Sequence, residues 1–253
     1  MYPTDLTDSQ WQVIENLLLD QRKRKYALRE VFNAIFYVVK GGIPWRLMPK
    51  DLPPWKSVYY YYARFRKLGV WQELNEALRE KVRRKKGRKV SPSAAILDSQ
   101  SVKTTFVGGQ RGYDAAKQVK GRKRHILVDT LGLLLAVVVH RADIDERKGA
   151  GFLLRRLYKN KVMFPRLSVI FADGGYSGEF EAFVRKTFRW VLHIVRKPIG
   201  IETFQVLPKR WIIERTFSWL SAHRRLSVEY ERSVKSSEAM VQIAMIRLML
   251  KKF

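Results

Sequence analysis

Hydrophobic side chains recur at helical spacing through the first 85 residues. The repeats predict four helices, whose apolar positions are Trp11, Ile14, Leu17 and Leu18, then Leu28, Val31, Ile35 and Val38, then Val58, Tyr61, Tyr62 and Phe65, then Trp71, Leu74, Leu78 and Val82. Thr7 and Gln10 have the spacing of a capping box at the start of the first helix. The glycine pair at 41–42 is expected to end the second helix, and Ser57 to cap the third. We therefore predict an all-α, helix-turn-helix-like domain over residues 1–85.

A different pattern follows a basic segment. Residues 86–93 combine Lys and Arg with Pro92 and almost no large apolar side chain, so we interpret them as a domain linker. Beyond them, short apolar runs predict strands at 94–97, 125–128, 133–140, 167–172 and 190–195. Helices are predicted at 146–158, 180–186, 208–225 and 238–250. The alternation of strands and helices predicts an α/β domain over residues 94–253.

The net charge indicates the kind of partner. The 253 residues include 50 Lys and Arg against 23 Asp and Glu, which gives a formal charge of +27. An excess of this size destabilises a compact chain through self-repulsion unless a polyanion neutralises it. No long predicted helix has a basic face opposite a Trp/Leu face, which disfavours a membrane surface. Nucleic acid is therefore the expected partner.

The composition excludes several kinds of active site. The absence of cysteine excludes disulfides, thiolate zinc sites, iron–sulfur clusters and Cys nucleophiles. The four histidines are scattered along the chain, which disfavours a histidine metal site. Neither a phosphate-binding Gly-x4-Gly-Lys loop nor a Gly-x-Ser-x-Gly elbow occurs. The chemistry that remains is that of carboxylates.

Two aspartates stand directly after apolar strands. Asp98 follows Ala-Ala-Ile-Leu and Asp173 follows Val-Ile-Phe-Ala, while Glu214 lies in the helix predicted at 208–225. If the first and fourth strands are neighbours, both aspartates emerge at the same edge of the sheet. Three converging carboxylates either share protons or hold divalent cations. Two Mg²⁺ ions roughly 4 Å apart are a standard arrangement for phosphodiester chemistry.

A structural role is the alternative for each acid. An Asp after a strand is most often a turn former or a helix cap. The acids that we assign to such roles are Asp129 in a hairpin turn and Asp143 and Asp145 as caps. The glycines and hydroxyl residues after Asp98 and Asp173 suit phosphate contact, which weakens this alternative for those two. For Glu214 the alternative is an i,i+4 ion pair with Arg210.

Six segments carry a resemblance to a known family. They are Leu-Thr-Asp-Ser-Gln-Trp at 6–11, Gly-Ile-Pro-Trp-Arg-Leu-Met-Pro-Lys-Asp-Leu-Pro-Pro-Trp at 42–55, Ile-Leu-Asp-Ser-Gln-Ser-Val-Lys-Thr at 96–104, Lys-Gly-Arg-Lys-Arg-His-Ile-Leu-Val-Asp-Thr-Leu-Gly at 120–132, Ala-Asp-Gly-Gly-Tyr at 172–176 and Arg-Trp-Ile-Ile-Glu-Arg-Thr-Phe-Ser-Trp-Leu at 210–220. In this order they resemble the DDE transposases with an RNase H-like fold. More narrowly, the chain is similar to bacterial insertion-sequence transposases of family five.

The resemblance implies a fold and a reaction. The implied catalytic domain is an RNase H-like mixed sheet with flanking helices, in which Asp98, Asp173 and Glu214 are catalytic and hold Mg²⁺, with Mn²⁺ as a substitute. The implied reaction cleaves double-stranded DNA at the inverted-repeat ends of an insertion sequence and joins the 3′ ends to target DNA. A homodimer or larger assembly on DNA is implied, in the bacterial cytoplasm at the nucleoid, with no membrane and no small-molecule partner.

The last long helix departs from the family pattern Tyr-x2-Arg-x3-Glu-x6-Lys. Arg210 and Glu214 fit this pattern, whereas Leu207 and Ser221 stand at the Tyr and Lys positions. An arginine about three turns beyond the glutamate is expected to supply the missing charge. The two candidates are Arg224 and Arg225.

Basic residues elsewhere are expected to contact DNA. On the third predicted helix the outward-facing cations are candidates for phosphate contacts, while the apolar face packs in the core. Residues 103–124 are rich in Lys, Arg and Gly, and are either a mobile loop that orders on the DNA backbone or a solvated disordered loop. The complete set of predicted DNA contacts is Arg64, Arg66, Lys67, Lys103, Arg122, Lys123, Arg124, Arg210, Arg215, Arg224 and Arg225.

Two other functions fit the same residues. A catalytically silent DNA-binding regulator derived from a transposase would keep the carboxylates without turnover. A structure-selective nuclease on the same fold would cleave DNA without joining it. The three intact acids favour an enzyme over the regulator.

Overall fold

The computed structural model describes residues 2–18, 23–106, 108–196 and 209–253. Leu207 and Pro208, which figure in the sequence analysis, lie outside these ranges. Four helices come first, namely α1 (Asp8–Leu18), α2 (Leu28–Gly41), α3 (Trp55–Leu68) and α4 (Val70–Lys85). The strands and remaining helices follow as β1 (Ala94–Lys103), β2 (Gly112–Asp114), β3 (Val119–Asp129), β4 (Leu134–Arg141), α5 (Glu146–Lys159), β5 (Val169–Ala172), α6 (Glu179–Phe188), β6 (Val191–Ile194), α7 (Arg210–Ser221), α8 (Arg224–Ser227) and α9 (Val234–Leu250).

Local signals set the ends of the first helices as predicted, with one exception. At α1 the backbone N–H groups of Thr7 and Gln10 each donate to the other residue's side chain at 3.3 Å, which is the predicted capping box. α2 ends at Gly41, and its C-cap is Gly42, whose left-handed φ of 72° brings its N–H within 2.8 Å of a carbonyl oxygen one turn earlier. The predicted cap at Ser57 is wrong, because α3 has already begun there and its N-cap is Pro54.

The strands form one mixed sheet in the order β4-β3-β1-β5-β6, with β2 continuing along β3 on the β4 side. β1 pairs antiparallel with β3 and parallel with β5, and β5 pairs parallel with β6. The first and fourth strands predicted from the sequence are therefore neighbours. This mixed sheet with flanking helices is the RNase H-like architecture that the resemblance implies.

Two strands are longer than the hydrophobic pattern predicts. β1 continues past Asp98 to Lys103, and β3 begins at Val119 rather than at His125. The expectation of a mobile or disordered loop at 103–124 is therefore wrong for the segments that form β2 and β3. The pattern missed these segments because charged side chains of β3 are buried in ion pairs with acids elsewhere in the chain.

Helices cover both faces of the sheet. Successive residues of a strand point to opposite faces, so Ile96 packs in a core with the N-terminal helices and α9, and Leu97 packs in a core with α5 and α6. α9 lies between the N-terminal helices and the sheet, and the Tyr62 hydroxyl of α3 donates to the Ser236 carbonyl of α9 at 3.2 Å. The helical region and the sheet thus share a hydrophobic core, and the division into domains at 86–93 stays a prediction.

The long helix predicted at 208–225 is interrupted. α7 ends at Ser221 and α8 is a separate turn, because His223 between them has extended backbone and a buried ring. The Lys40 ammonium donates to the Ala222 carbonyl at 2.6 Å, which satisfies an acceptor that the helix end leaves free. A contact from α2 therefore stabilises the break, and helical spacing alone does not reveal it.

Caps set the starts of two further helices. Asp145 caps α5 as predicted, since its carboxylate accepts two backbone N–H groups of the first turn at 2.9 and 3.2 Å. The predicted cap at Asp143 is wrong, because that carboxylate instead pairs with Arg141. α9 begins four residues before the predicted 238, where Ser233 accepts a backbone N–H at 3.1 Å. Among the described helices, none is both long and apolar enough to cross a membrane.

Candidate active site

Parallel pairing of β1 and β5 brings two of the predicted carboxylates together. Ile96 on β1 is paired with Phe171 on β5, and Asp98 and Asp173 each stand two positions farther along. Residues two apart point to the same side of a sheet, so the two carboxylates lie next to each other at the carboxyl end of β5. Both line a small cleft beneath α7.

Arg210 lies between the third carboxylate and the aspartates. Its Nη2 atom is 3.7 Å from Asp173 Oδ2, and its Nε atom is 3.4 Å from Glu214 Oε1. The i,i+4 pair that we considered as a structural role for Glu214 is therefore present. The same guanidinium also reaches Asp173, so the pair is not confined to the surface of α7.

Asp98 has a raised pKa. Burial, with a smaller contribution from the negative charge of Asp173, raises the pKa of Asp98 to about 6. The Ser99 backbone N–H, which donates to Asp98 Oδ1 at 2.6 Å, opposes this rise, as do the charges of Lys117 and Arg210. The carboxyl group is therefore protonated in mildly acidic solution and ionised at neutral pH.

The donor chemistry of the cleft fits a hard divalent cation. Carboxylate oxygens are the ligands that Mg²⁺ and Mn²⁺ prefer, and Asp98 and Asp173 are adjacent while Glu214 faces them across Arg210. In the described part of the chain, no three His, Asp or Glu side chains are close enough together to hold one ion. In this conformation the Arg210 guanidinium supplies the positive charge between the acids.

Comparison with known families identifies the family of the chain. The profile described as "Transposase DDE domain" matches residues 89–249, and the profile described as "Putative transposase of IS4/5 family" matches residues 6–75. The chain belongs to the DDE transposase family. The resemblance drawn from the six sequence segments is confirmed, and so is the RNase H-like fold class that it implied.

The individual proteins that match this DDE transposase share low sequence identity with it. The putative transposase for insertion sequence element IS402 of Burkholderia cepacia is 29% identical over 118 residues, which cover 44% of this chain and 54% of that protein. The match thus spans about half the length of this relative. The crystal structure of the Mos1 mariner paired end complex with Mn has 9% sequence identity and a TM-score of 0.35, and the match covers 96% of this chain and 83% of that one.

Two charged residues beside the carboxylates of the transposase were missed by the sequence analysis. Lys117 Nζ donates to Glu146 Oε1 at 2.8 Å, and the Ser99 hydroxyl donates to the same oxygen at 3.0 Å. Glu146 is the first residue of α5, and Lys117 lies between β2 and β3. The only signal for Lys117 was its place in the basic segment 103–124, and nothing in the sequence singled out Glu146.

Four predicted DNA contacts are buried and paired within the protein. They are Arg122, Lys123, Arg124 and Arg225. Lys123 Nζ is 3.2 Å from Asp114, Arg124 Nη2 is 3.1 Å from Glu229, Arg225 Nε is 2.8 Å from Glu231, and Arg122 Nη1 donates to the Glu231 carbonyl at 2.7 Å. A phosphate would have to expose and replace these internal partners, and an acid left buried without its cation is strongly destabilising. The structure therefore corrects the prediction for these four residues.

The remaining predicted contacts differ in what they touch. Lys67, Lys103 and Arg224 are exposed. Arg64 is half-buried and donates to the Tyr60 hydroxyl at 3.1 Å, and Arg66 donates to the Ser236 hydroxyl over the Tyr62 ring. The Arg215 guanidinium stacks between the rings of Trp211 and Trp219, at 4.6 and 4.4 Å from their centroids. DNA contact by these residues and by Arg210 stays a prediction.

Two histidines that are distant in sequence meet beside the site. His125 Nδ1 and His140 Nε2 are 2.9 Å apart on the neighbouring strands β3 and β4. Burial lowers the pKa of His125 to about 3 and also lowers that of His140, so the pair is neutral at physiological pH. Gly149 of α5 packs against them, since a Cβ there would lie 2.3 Å from His140 Nε2. We interpret the pair as a packing element of the transposase core.

Proposed function

We propose that this transposase binds the inverted-repeat ends of its insertion sequence, cleaves DNA strands there and joins the 3′ ends to target DNA. One observation carries the proposal. In a chain of the DDE family, Asp98 and Asp173 are adjacent at the end of β5, and Arg210 links Asp173 to Glu214 of α7.

The three acids are assigned to hold Mg²⁺ or Mn²⁺. Bound cations of this kind activate an attacking oxygen and stabilise a leaving oxygen in phosphodiester chemistry. Asp98 must lose its proton to act as a ligand, and its pKa of about 6 permits this at neutral pH. Arg210 must turn away from Asp173 and Glu214 to admit a cation. It is then available to a DNA phosphate, which is the role predicted for it from the sequence.

Double-stranded DNA is the proposed partner. The formal charge of +27 and the exposed cations Lys67, Lys103 and Arg224 support binding to its phosphates. We further propose that the active assembly on DNA is a homodimer or larger, and that the protein works in the cytoplasm at the nucleoid.

The test is single-turnover cleavage, in Mg²⁺, of duplex DNA that carries the inverted repeats flanking the gene. Glu214→Gln keeps side-chain size and helix propensity but removes one charge. Cleavage should fall by several orders of magnitude, while binding to the ends is unchanged or slightly tighter. Glu80→Gln is the matched control, because Glu80 forms an i,i+4 pair with Arg84 at 3.4 Å, the same distance as in the Arg210–Glu214 pair, on α4. Its cleavage should equal that of the parent.

Each alternative function has its own outcome in this assay. Parental cleavage by Glu214→Gln would remove this glutamate from the site. Tight binding to the ends without any cleavage by the parent would favour the silent regulator. Cleavage of branched DNA that lacks the repeats, without joining, would favour a structure-selective nuclease.

A further inference from the structure

A basic groove lies at the β4 edge of the molecule. It has a volume of about 750 Å³ and runs between the C-terminal half of α3, the start of α4, the first half of α9 and α5. Arg156 of α5 borders it and donates to the Val137 carbonyl of β4 at 2.8 Å. β3 separates β4 from β1, which carries Asp98, so the groove is distinct from the carboxylate cleft.

The groove collects positive charge from parts of the chain that are far apart in sequence. Its cations are Arg64, Arg66, Lys67, Arg156 and Lys235. Among the described residues that line it, Glu238 is the single acid. Both of its oxygens are already engaged, since Oε2 accepts from Arg156 at 2.7 Å and Oε1 accepts from the Val139 backbone N–H at 3.1 Å. The acid therefore leaves most of the positive charge uncompensated.

Two of these cations are free to bind an anion. Lys67 and Lys235 are exposed, and neither has an acidic partner within the described part of the chain. Arg64 contacts the neutral Tyr60 hydroxyl there. Like charges that outnumber the acids beside them repel one another, so an anion in the groove would stabilise it. The positive end of the α9 dipole adds to this, because α9 begins at Val234.

We infer that the groove binds the sugar–phosphate backbone of duplex DNA, at a place separate from the carboxylate cleft. The inference rests on the proposed function. Several cations along one groove suit a row of phosphates, and the side chains of Tyr60, Gln72 and Gln242 offer hydrogen bonds that do not depend on base sequence. An acidic polypeptide, like DNA, is negatively charged. DNA is favoured over it as the occupant, because the net positive charge of +27 extends over far more of the chain than this groove, which suits a long polyanion.

The groove also assigns a role to the packing of α3 against α9. Lys67 comes from the region predicted as a DNA-binding domain, whereas Lys235 and Arg156 come from the region predicted as catalytic. Only the folded chain brings these cations together. A DNA segment bound here is therefore held by both regions at once, and the orientation of the DNA relative to the sheet is fixed.

The test is the salt dependence of binding to a duplex that lacks the inverted repeats. Each phosphate contact contributes about 0.9 to the slope of log affinity against log salt, so the double variant Lys67→Gln/Lys235→Gln should lower the slope by about 2. The control variant Arg185→Gln/Lys186→Gln removes the same charge from exposed positions on α6 and should keep the parental slope. Both variants should melt like the parent, because the substituted side chains are exposed.

The outcomes separate the groove from the proposed function. A parental slope in Lys67→Gln/Lys235→Gln, while the parent still cleaves end DNA, would overturn the groove and leave the transposase proposal intact. An equal decrease of the slope in both double variants would also overturn the groove proposal, because the decrease would then come from the total charge of the protein rather than from the groove. Weaker binding of polyglutamate with an unchanged DNA slope would assign the groove to an acidic protein instead. If the parent neither binds nor cleaves DNA, both proposals fail.

Discussion

Replacing Arg210 with Gln removes a positive charge that pairs with both Asp173 and Glu214. The guanidinium is 3.7 Å from the first carboxylate and 3.4 Å from the second. Near this separation a charge pair is worth about 1 kcal/mol in water and about 4 kcal/mol at an effective dielectric constant of 20. The side chains of Asp173 and Glu214 are 24% and 56% exposed, so solvent screening places each pair near the lower value.

The carboxylates released by Arg210→Gln are expected to bind Mg²⁺ more tightly. Arg210 and a divalent cation compete for the same acids, so the variant loses about 1 kcal/mol of competition for each pair. This corresponds to an affinity about fivefold higher if one pair matters and about thirtyfold higher if both do. In the absence of metal the pKa of Asp98 should rise above its value of about 6, because the Arg210 charge lowers it.

Calorimetric titration with Mg²⁺ in the absence of DNA measures this affinity directly. The experiment is done at slightly alkaline pH, where Asp98 is ionised. Arg84→Gln is the matched control, because it removes the partner of Glu80 on α4 and should leave metal binding unchanged. An affinity in Arg210→Gln that is equal to or weaker than that of the parent would refute the reasoning. It would show that the guanidinium does not compete with the metal.

Four further predictions concern acidic residues. Asp98→Asn should abolish cleavage yet raise the melting temperature of the protein at neutral pH. The pKa of Asp98 in the folded protein, about 6, exceeds the usual 3.8, so ionisation of this carboxyl group destabilises the fold as pH rises through this interval. The difference in melting temperature between parent and variant should therefore vanish in acid. For the parent, cleavage should rise with pH through about 6, and a flat pH–rate profile would contradict this. In urea titrations, Glu229→Gln should lower the free energy of unfolding by about 3–5 kcal/mol, because it leaves buried arginines without their carboxylate. The control Asp143→Asn, at an exposed position, should change this free energy by less than about 0.5 kcal/mol. Asp129→Asn should destabilise the chain through loss of the buried pair with Arg83, but cleavage per folded molecule should match the parent; a loss per folded molecule would assign Asp129 a part in the site.

Much of the secondary structure follows from local signals. Helical spacing predicts α1 to α4, because each of these helices places one apolar face on a core. The turn at Asp129 is also local, since its Oδ1 accepts the backbone N–H groups of Leu131 and Leu133 at 2.9 Å each. The buried partner of this aspartate, Arg83, is not local, and the sequence therefore presented Asp129 as a simple turn residue.

The proximity of Asp98 and Asp173 at the end of β5 depends partly on local sequence and partly on tertiary structure. Asp98 and Asp173 each follow an apolar run, which is visible in the sequence. Their convergence required that β1 and β5 be neighbours, and only the register between these strands establishes that. Arg210 was recognised as a cation one turn before Glu214, but its contact with Asp173 depends on how α7 lies over the sheet.

The sequence by itself determined the family, and it predicted the catalytic acids and a polyanionic partner. These properties depend on residue identity, order and total charge, which do not change on folding. The tertiary structure alone decided which cations are exposed and which are buried in ion pairs. Arg122 and Arg124 are buried because Glu229, more than a hundred positions later, lies beside them. Lys67 and Lys235 instead come to one groove, where neither pairs with an acid of the described residues. Burial and pairing depend on contacts between distant segments, and hydrophobic periodicity carries no information about them.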